Sequence, residues 1–208
     1  MTGCNHCHHD HKPTQTQSAR YKRVLWVALG INLSMFLVEV FSGLQAGSVS
    51  LMADSLDFFG DAANYAVSLF VLGMALSIRA KAALVKGLSL GVFGLGILGL
   101  TAYNLLTHQM PEPITMGVVA TLALVSNVAV ALMLYAWREG DANMQSVWLC
   151  SRNDAIGNVA VVMAAILVGW TNSAWPDLVV AVLMAGLGIS ASKTIVVQAL
   201  RELNQSDV

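Results

Sequence analysis

VLWVALGINLSMFLVEVFSGLQA, residues 24–46, carries one charged side chain, Glu39, in 23 positions. An α-helix rises about 1.5 Å per residue and needs about 20 mostly apolar residues to cross the hydrocarbon of a bilayer. This run meets that length. Working outward from it, five further runs do the same: 49–77, 87–106, 114–136, 146–169 and 178–197. The connections between them are short and leave no room for a soluble domain. Composition agrees, with 56% hydrophobic and 11% charged residues, against roughly 25% charged in an ordinary soluble domain. The expected fold is an all-α membrane protein, a bundle of six transmembrane helices. No signal peptide is expected, because residues 1–23 have no apolar core and no small-residue cleavage pattern.

The distribution of basic residues sets the expected orientation. Lys12, Arg20, Lys22 and Arg23 precede the first run, Arg79, Lys81 and Lys86 lie between the second and third, Arg138 between the fourth and fifth, and Lys193 and Arg201 near the end. The opposite connections, near Gly47, around His108–Pro113 and at 171–177, contain no Lys or Arg. By the positive-inside rule both termini are cytoplasmic. Arg152, inside the fifth run, is the exception. Three parts follow: a Cys/His-rich cytoplasmic tail and linker at 1–22, a six-helix transmembrane domain at 23–200, and a short cytoplasmic tail at 201–208.

The tail packs Cys4, His6, Cys7, His8, His9 and His11 into eight positions. Thiolates and imidazoles are ligands for soft and borderline metals. Without a packed scaffold, weak and interchangeable binding is expected there. The third cysteine, Cys150, falls within a helix, so the three form no disulfide framework.

Ionisable residues inside a membrane are costly and mark function. Asp54, Asp57 and Asp61 share the second run; at about 100° per residue, Asp57 and Asp61 fall about 60° and 20° from Asp54. All three acids are expected to point into the bundle, with Asn64 and Ser68 continuing the stripe. On the fifth run Cys150 and Asp154 are one turn apart, and Asn158 continues their line. Counted from opposite ends, the two sets reach similar depths. Asp57, Asp61, Cys150 and Asp154 therefore make a candidate tetrahedral site of three oxygen ligands and one sulfur, suited to Zn²⁺ and poorly suited to Mg²⁺. Asp54, Glu39, Asn32 and Asn158 are accessory candidates. The small residues Gly87, Gly91, Gly94, Gly96 and Gly99, with Gly186, Gly188, Ser190, Ala191 and Ser192, read as close helix packing. Trp175-Pro176-Asp177 reads as a helix start with proline in its first turn.

Carboxylates and thiols bind metal only when deprotonated, so loading a dication releases protons. A site that holds either a dication or protons, reached alternately from each side, is a metal/proton exchanger.

The order Asn32, Glu39, Gly43, then residues 47–54 (GSVSLMAD), Asp57-Phe58-Phe59-Gly60-Asp61, Asp154-Ala155-Ile156-Gly157-Asn158 and Trp175-Pro176-Asp177-Leu178 resembles the cation diffusion facilitator family over nearly all of residues 23–203. The resemblance implies dimeric export of Zn²⁺ or a similar metal from the cytoplasm against protons, in a bacterial inner membrane, with Asp57, Asp61, Cys150 and Asp154 as the transport site. The family has His or Asp where this chain has Cys150, which favours Cd²⁺ beside Zn²⁺; Co²⁺ and Ni²⁺ are further candidates. The family's cytoplasmic C-terminal domain has no counterpart in the 208 residues, so a short form is expected. The expected partners are metal ions, protons and lipid, with no nucleic acid. A membrane-bound metal sensor or storage protein is the alternative. An enzyme is not expected, since no nucleophile motif or metalloprotease spacing appears.

Overall fold

The computed structural model describes the backbone of residues 19–70, 75–137 and 142–206, and their side chains except those of 76, 137, 142–147, 149, 150, 205 and 206. The Cys/His tail and Arg138 lie outside the described residues. Six helices make the fold: α1 (Ala19–Ala46), α2 (Val49–Phe70), α3 (Leu76–Thr107), α4 (Pro113–Leu134), α5 (Ala142–Thr171) and α6 (Trp175–Ser206), with one 3₁₀ turn at Tyr135–Trp137 after α4.

Each helix was anticipated, but several boundaries move: α1 begins at Ala19 rather than at 24, and α6 runs to Ser206 rather than to 197. The second helix ends at Phe70 rather than at 77, and the third begins at Leu76 rather than at 87. Arg79, Lys81 and Lys86 thus stand on α3 and not in a connection. Among the described residues, α1, α3, α4, α5 and α6 contain segments long and apolar enough to cross a membrane. The remaining helix, α2, has 22 residues, about 33 Å at the helical rise, and carries the three aspartates.

Consecutive helices run antiparallel, so both described ends of the chain lie at one end of the bundle. Met35 on α1 packs with Phe58 on α2 and Ala123 on α4. One layer nearer the chain ends, Tyr21, Leu25 and Ala28 meet Tyr65, Val130 and Leu134. The central helix is α2, which contacts all five others. Large apolar side chains such as Phe41, Val92, Leu106, Ile114 and Leu187 are exposed around the bundle, as a lipid-facing surface requires.

The end away from the chain termini is tied by polar contacts. Gly47 takes a left-handed φ of +65° in the two-residue turn between α1 and α2, a conformation that glycine adopts without steric cost. Asn104 Nδ2 donates to the Gly47 carbonyl at 3.2 Å, and the Glu112 N–H donates to the Ala46 carbonyl at 2.8 Å. Glu112 also caps α4, accepting from the N–H groups of Ile114 and Thr115 at 3.0 and 2.6 Å, with Pro113 following. Bonds from Thr115 and Ile114 hold its carboxyl below the usual carboxylate range. Trp175 opens α6 with Pro176 in its first turn, as expected. Asp177 reaches across to the start of α2, accepting from Ser48 Oγ (2.7 Å), the Val49 N–H (2.9 Å), and the Ser50 N–H and Oγ (3.1 and 2.6 Å).

The small-residue stripe proves to be selective. A Cβ on Gly87, Gly91 or Gly94 would come within 2.9, 2.7 or 2.8 Å of Val196, Ser192 or Ile189 on α6. Those three glycines are the close-packing face. Gly96, Gly99 and Gly186 meet nothing within 4 Å, so they contribute nothing to that approach.

Candidate metal site between α2 and α5

Helices α2 and α5 cross antiparallel, with Asp61 opposite Ser151 and Asp57 opposite Gly157. Asp61 is buried. Its Oδ2 accepts from Tyr65 Oη at 2.9 Å and from Ser151 Oγ at 3.1 Å, and the two hydroxyls are 2.7 Å apart. This triangle fixes the carboxylate's orientation. Tyr65 follows Asp61 by one turn, which brings its hydroxyl back to the carboxylate.

Asp57 and Asp154 line a cavity of about 350 Å³ together with Asp61, Asn64 and Lys86. The same pair lines a second cavity of about 480 Å³ against Met184 and Leu187 of α6. Gly188 and Ala191 border both and leave the space open. Carboxylates gathered this closely repel one another, and a cation among them removes the repulsion. Among the described residues no three His, Cys, Asp or Glu side chains already converge as a metal cage. Cys150 lies on α5 one turn before Asp154, and its side chain is outside those described.

Asp54 stands apart from Asp57 and Asp61. It is fully buried against Glu39 of α1, away from both cavities, and the carboxyl oxygens of both residues lack a hydrogen-bond partner. The physical reason is depth. Asp54 lies seven residues before Asp61, about 10 Å along α2, so it shares that residue's direction but not its depth and meets Glu39 of α1 instead. Asn158 is likewise buried with both amide atoms unpartnered, and Asn32 donates to the Ala28 carbonyl at 2.9 Å with its Oδ1 unpartnered. Asn127 of α4, which the sequence reading passed over, is in the same condition. Arg152 keeps the place expected of it outside the site: exposed, 5.3 Å from the Trp148 ring centroid, and donating to Asn153.

Sequence reasoning therefore found the acids but missed Tyr65, Ser151 and Lys86. The available signals were a hydroxyl one turn after Asp61, another three residues before Asp154, and a lysine that could be helical as well as interhelical.

A family model described as the cation efflux transmembrane domain matches residues 25–204. The chain is 27% identical over 206 residues to the zinc transporter ZitB of Pectobacterium atrosepticum, covering 93% of this chain and 64% of that relative. It is 28% identical over 177 residues to the metal cation efflux system protein CzcD of Cupriavidus metallidurans, covering 78% and 55%. With the zinc transporter ZitB of Escherichia coli it shares 23% identity over 208 residues, covering 94% and 66%. The chain thus spans a little over half to about two thirds of these relatives.

Proposed function

Because the chain belongs to the cation efflux family and is an integral membrane protein, we propose that it exports a divalent transition metal from the cytoplasm in exchange for protons, with zinc as the first candidate. The observation that carries this reading is the gathering of Asp57, Asp61 and Asp154 on two crossing helices around shared cavities. In this reading α2 is the sixth transmembrane span, and the end holding Ala19 and Ser206 is cytoplasmic in an inner membrane. The relatives named for zinc and for metal cation efflux support the cargo class.

The metal is the transported substrate. Asp57, Asp61 and Asp154 supply oxygen ligands, and Cys150 a sulfur, in a tetrahedral set suited to Zn²⁺ and also to Cd²⁺. Tyr65 and Ser151 hold Asp61 in one orientation, so less freedom is lost when the ion binds. The carboxyls and thiol give up their protons as the dication binds, and protons reloaded from the far side displace it. Glu39 and Asp54, buried together outside the two cavities and without donors, are the groups that carry exchanged protons in this scheme. The tail residues Cys4, His6, Cys7, His8, His9 and His11 collect metal at the cytoplasmic mouth.

The test is flux in reconstituted vesicles with a pH-sensitive dye inside. Zinc uptake is expected with opposite proton movement, and Asp61→Asn or Asp154→Asn should abolish both. Normal transport by both variants would overturn the site. Metal binding without flux in the native chain would instead favour a membrane-bound sensor. Cys150→His, run against a panel of Zn²⁺, Cd²⁺, Co²⁺ and Ni²⁺, should lower the relative rate for Cd²⁺.

A further inference from the structure

We propose that Lys86 is a tethered cation that balances the Asp57, Asp61 and Asp154 carboxylates when metal is absent and is displaced when a dication binds. The inference rests on the metal-site reading above and adds a positioning residue to it.

Lys86 sits ten residues beyond the start of α3 at Leu76, about 15 Å along the helix. Val85 just before it and Leu88 two residues after it are exposed apolar residues of the kind that face lipid. A lysine at such depth either reaches outward to the interface or pairs inside the bundle. Lys86 turns inward: it is half-buried, its ammonium donates to Asn64 Oδ1 on α2, and it lines the cavity that Asp57, Asp61 and Asp154 also line. Asn64 is three residues from Asp61 and so occupies the same helical surface.

The backbone beneath Lys86 is locked by close packing, whereas its side chain is held through polar contacts at its tip. Gly87 is pressed against Ile195 and Val196 of α6, and Ser192 Oγ donates to the Gly87 carbonyl at 2.6 Å. Helix α3 therefore cannot withdraw here without breaking its closest contact. The four-carbon stem of lysine is flexible, and Gly60, Gly188 and Ala191 keep the adjoining cavity open. A metal entering the acids meets a like charge that can swing aside. A dication attracts the carboxylates more strongly than a tethered single charge does, whereas a monovalent ion gains no such advantage. The device thus raises the threshold for loading and helps expel the ion when the ammonium returns.

The test uses the full chain in nanodiscs at fixed pH. Zinc affinity is measured by competition with a chromophoric chelator for the native protein, Lys86→Gln, Lys86→Arg and Asn64→Ala. Lys86→Gln should bind zinc about tenfold more tightly with slower release, while Lys86→Arg stays near native. A lysine that merely ties α3 to α2 predicts unchanged or weaker binding in Lys86→Gln and an equal effect in Asn64→Ala; that pattern would overturn the proposal. A second measurement needs no variant: acylation of lysine amines, mapped by mass spectrometry with and without zinc. Labelling of Lys86 should rise severalfold on zinc binding relative to Lys22, Lys81 and Lys193, and no change would count against displacement. Asp154→Asn separates the two readings. If it still binds zinc at native affinity, the metal site itself is misplaced; if it loses zinc while Lys86 stays inert in both assays, only the role of Lys86 fails.

Discussion

Ser50 gives Asp177 two hydrogen bonds on a single oxygen, from its hydroxyl at 2.6 Å and its backbone N–H at 3.1 Å. Ser48 Oγ adds a third to that oxygen, and the Val49 N–H occupies the other. Asp177 belongs to the first turn of α6 yet serves as the N-terminal cap of α2, the helix that bears the acids. The cap is buried, and water cannot replace it. One end of α2 is therefore pinned to α6, roughly two turns from Asp57.

Asp177→Ala should lower stability by about 2–4 kcal/mol, combining a lost helix cap with buried donors left unpaired. Asp177→Asn should cost less, because one acceptor oxygen remains while the new amide meets a donor. Thermal unfolding in detergent or nanodiscs, read by helical circular dichroism, checks the order Ala worse than Asn.

Tyr65→Phe and Ser151→Ala each remove a hydroxyl that orients Asp61 without touching the acids themselves. Each should weaken zinc binding by about tenfold, as loss of a ligand's supporting hydrogen bond does, with the unfolding midpoint little changed. Equilibrium zinc titration of the two variants and their double mutant provides the check. The double mutant should fall short of the product of the single effects, because the two hydroxyls also contact each other.

Glycine substitutions on α3 should divide by face. Gly94→Ala places a carbon 2.8 Å from Ile189 Cγ1 and should cost about 1–3 kcal/mol through overpacking. Gly99→Ala meets nothing within 4 Å and should be neutral or stabilising by up to about 1 kcal/mol, since alanine favours helix. Comparing the two midpoints tests the α3–α6 contact directly.

Glu39→Gln supplies an amide donor to Asp54, whose oxygens otherwise have none. The variant should be at least as stable as the native chain. If the Glu39–Asp54 pair carries exchanged protons, zinc flux should also lose much of its response to an imposed pH gradient. Flux measured with and without the gradient separates that effect from a general loss of activity.

Length and hydropathy identified six helices, five of them, among the described residues, apolar enough to cross hydrocarbon, which requires about 20 apolar residues whatever surrounds them. The one-turn spacing of Asp57 and Asp61, and of Cys150 and Asp154, likewise identified the candidate ligands, since helical periodicity is a local property. Tertiary structure decided what each face meets. It put Asp54 against Glu39, placed Ser151 on Asp61, selected Gly87, Gly91 and Gly94 over Gly96 and Gly99, and set Asp177 over a helix that begins 128 residues earlier. It also moved Lys86 from a connection onto α3 beside the acids. Periodicity records the direction of a side chain relative to its own helix axis. The partner opposite it depends on how neighbouring helices rotate and cross, which only their joint packing specifies.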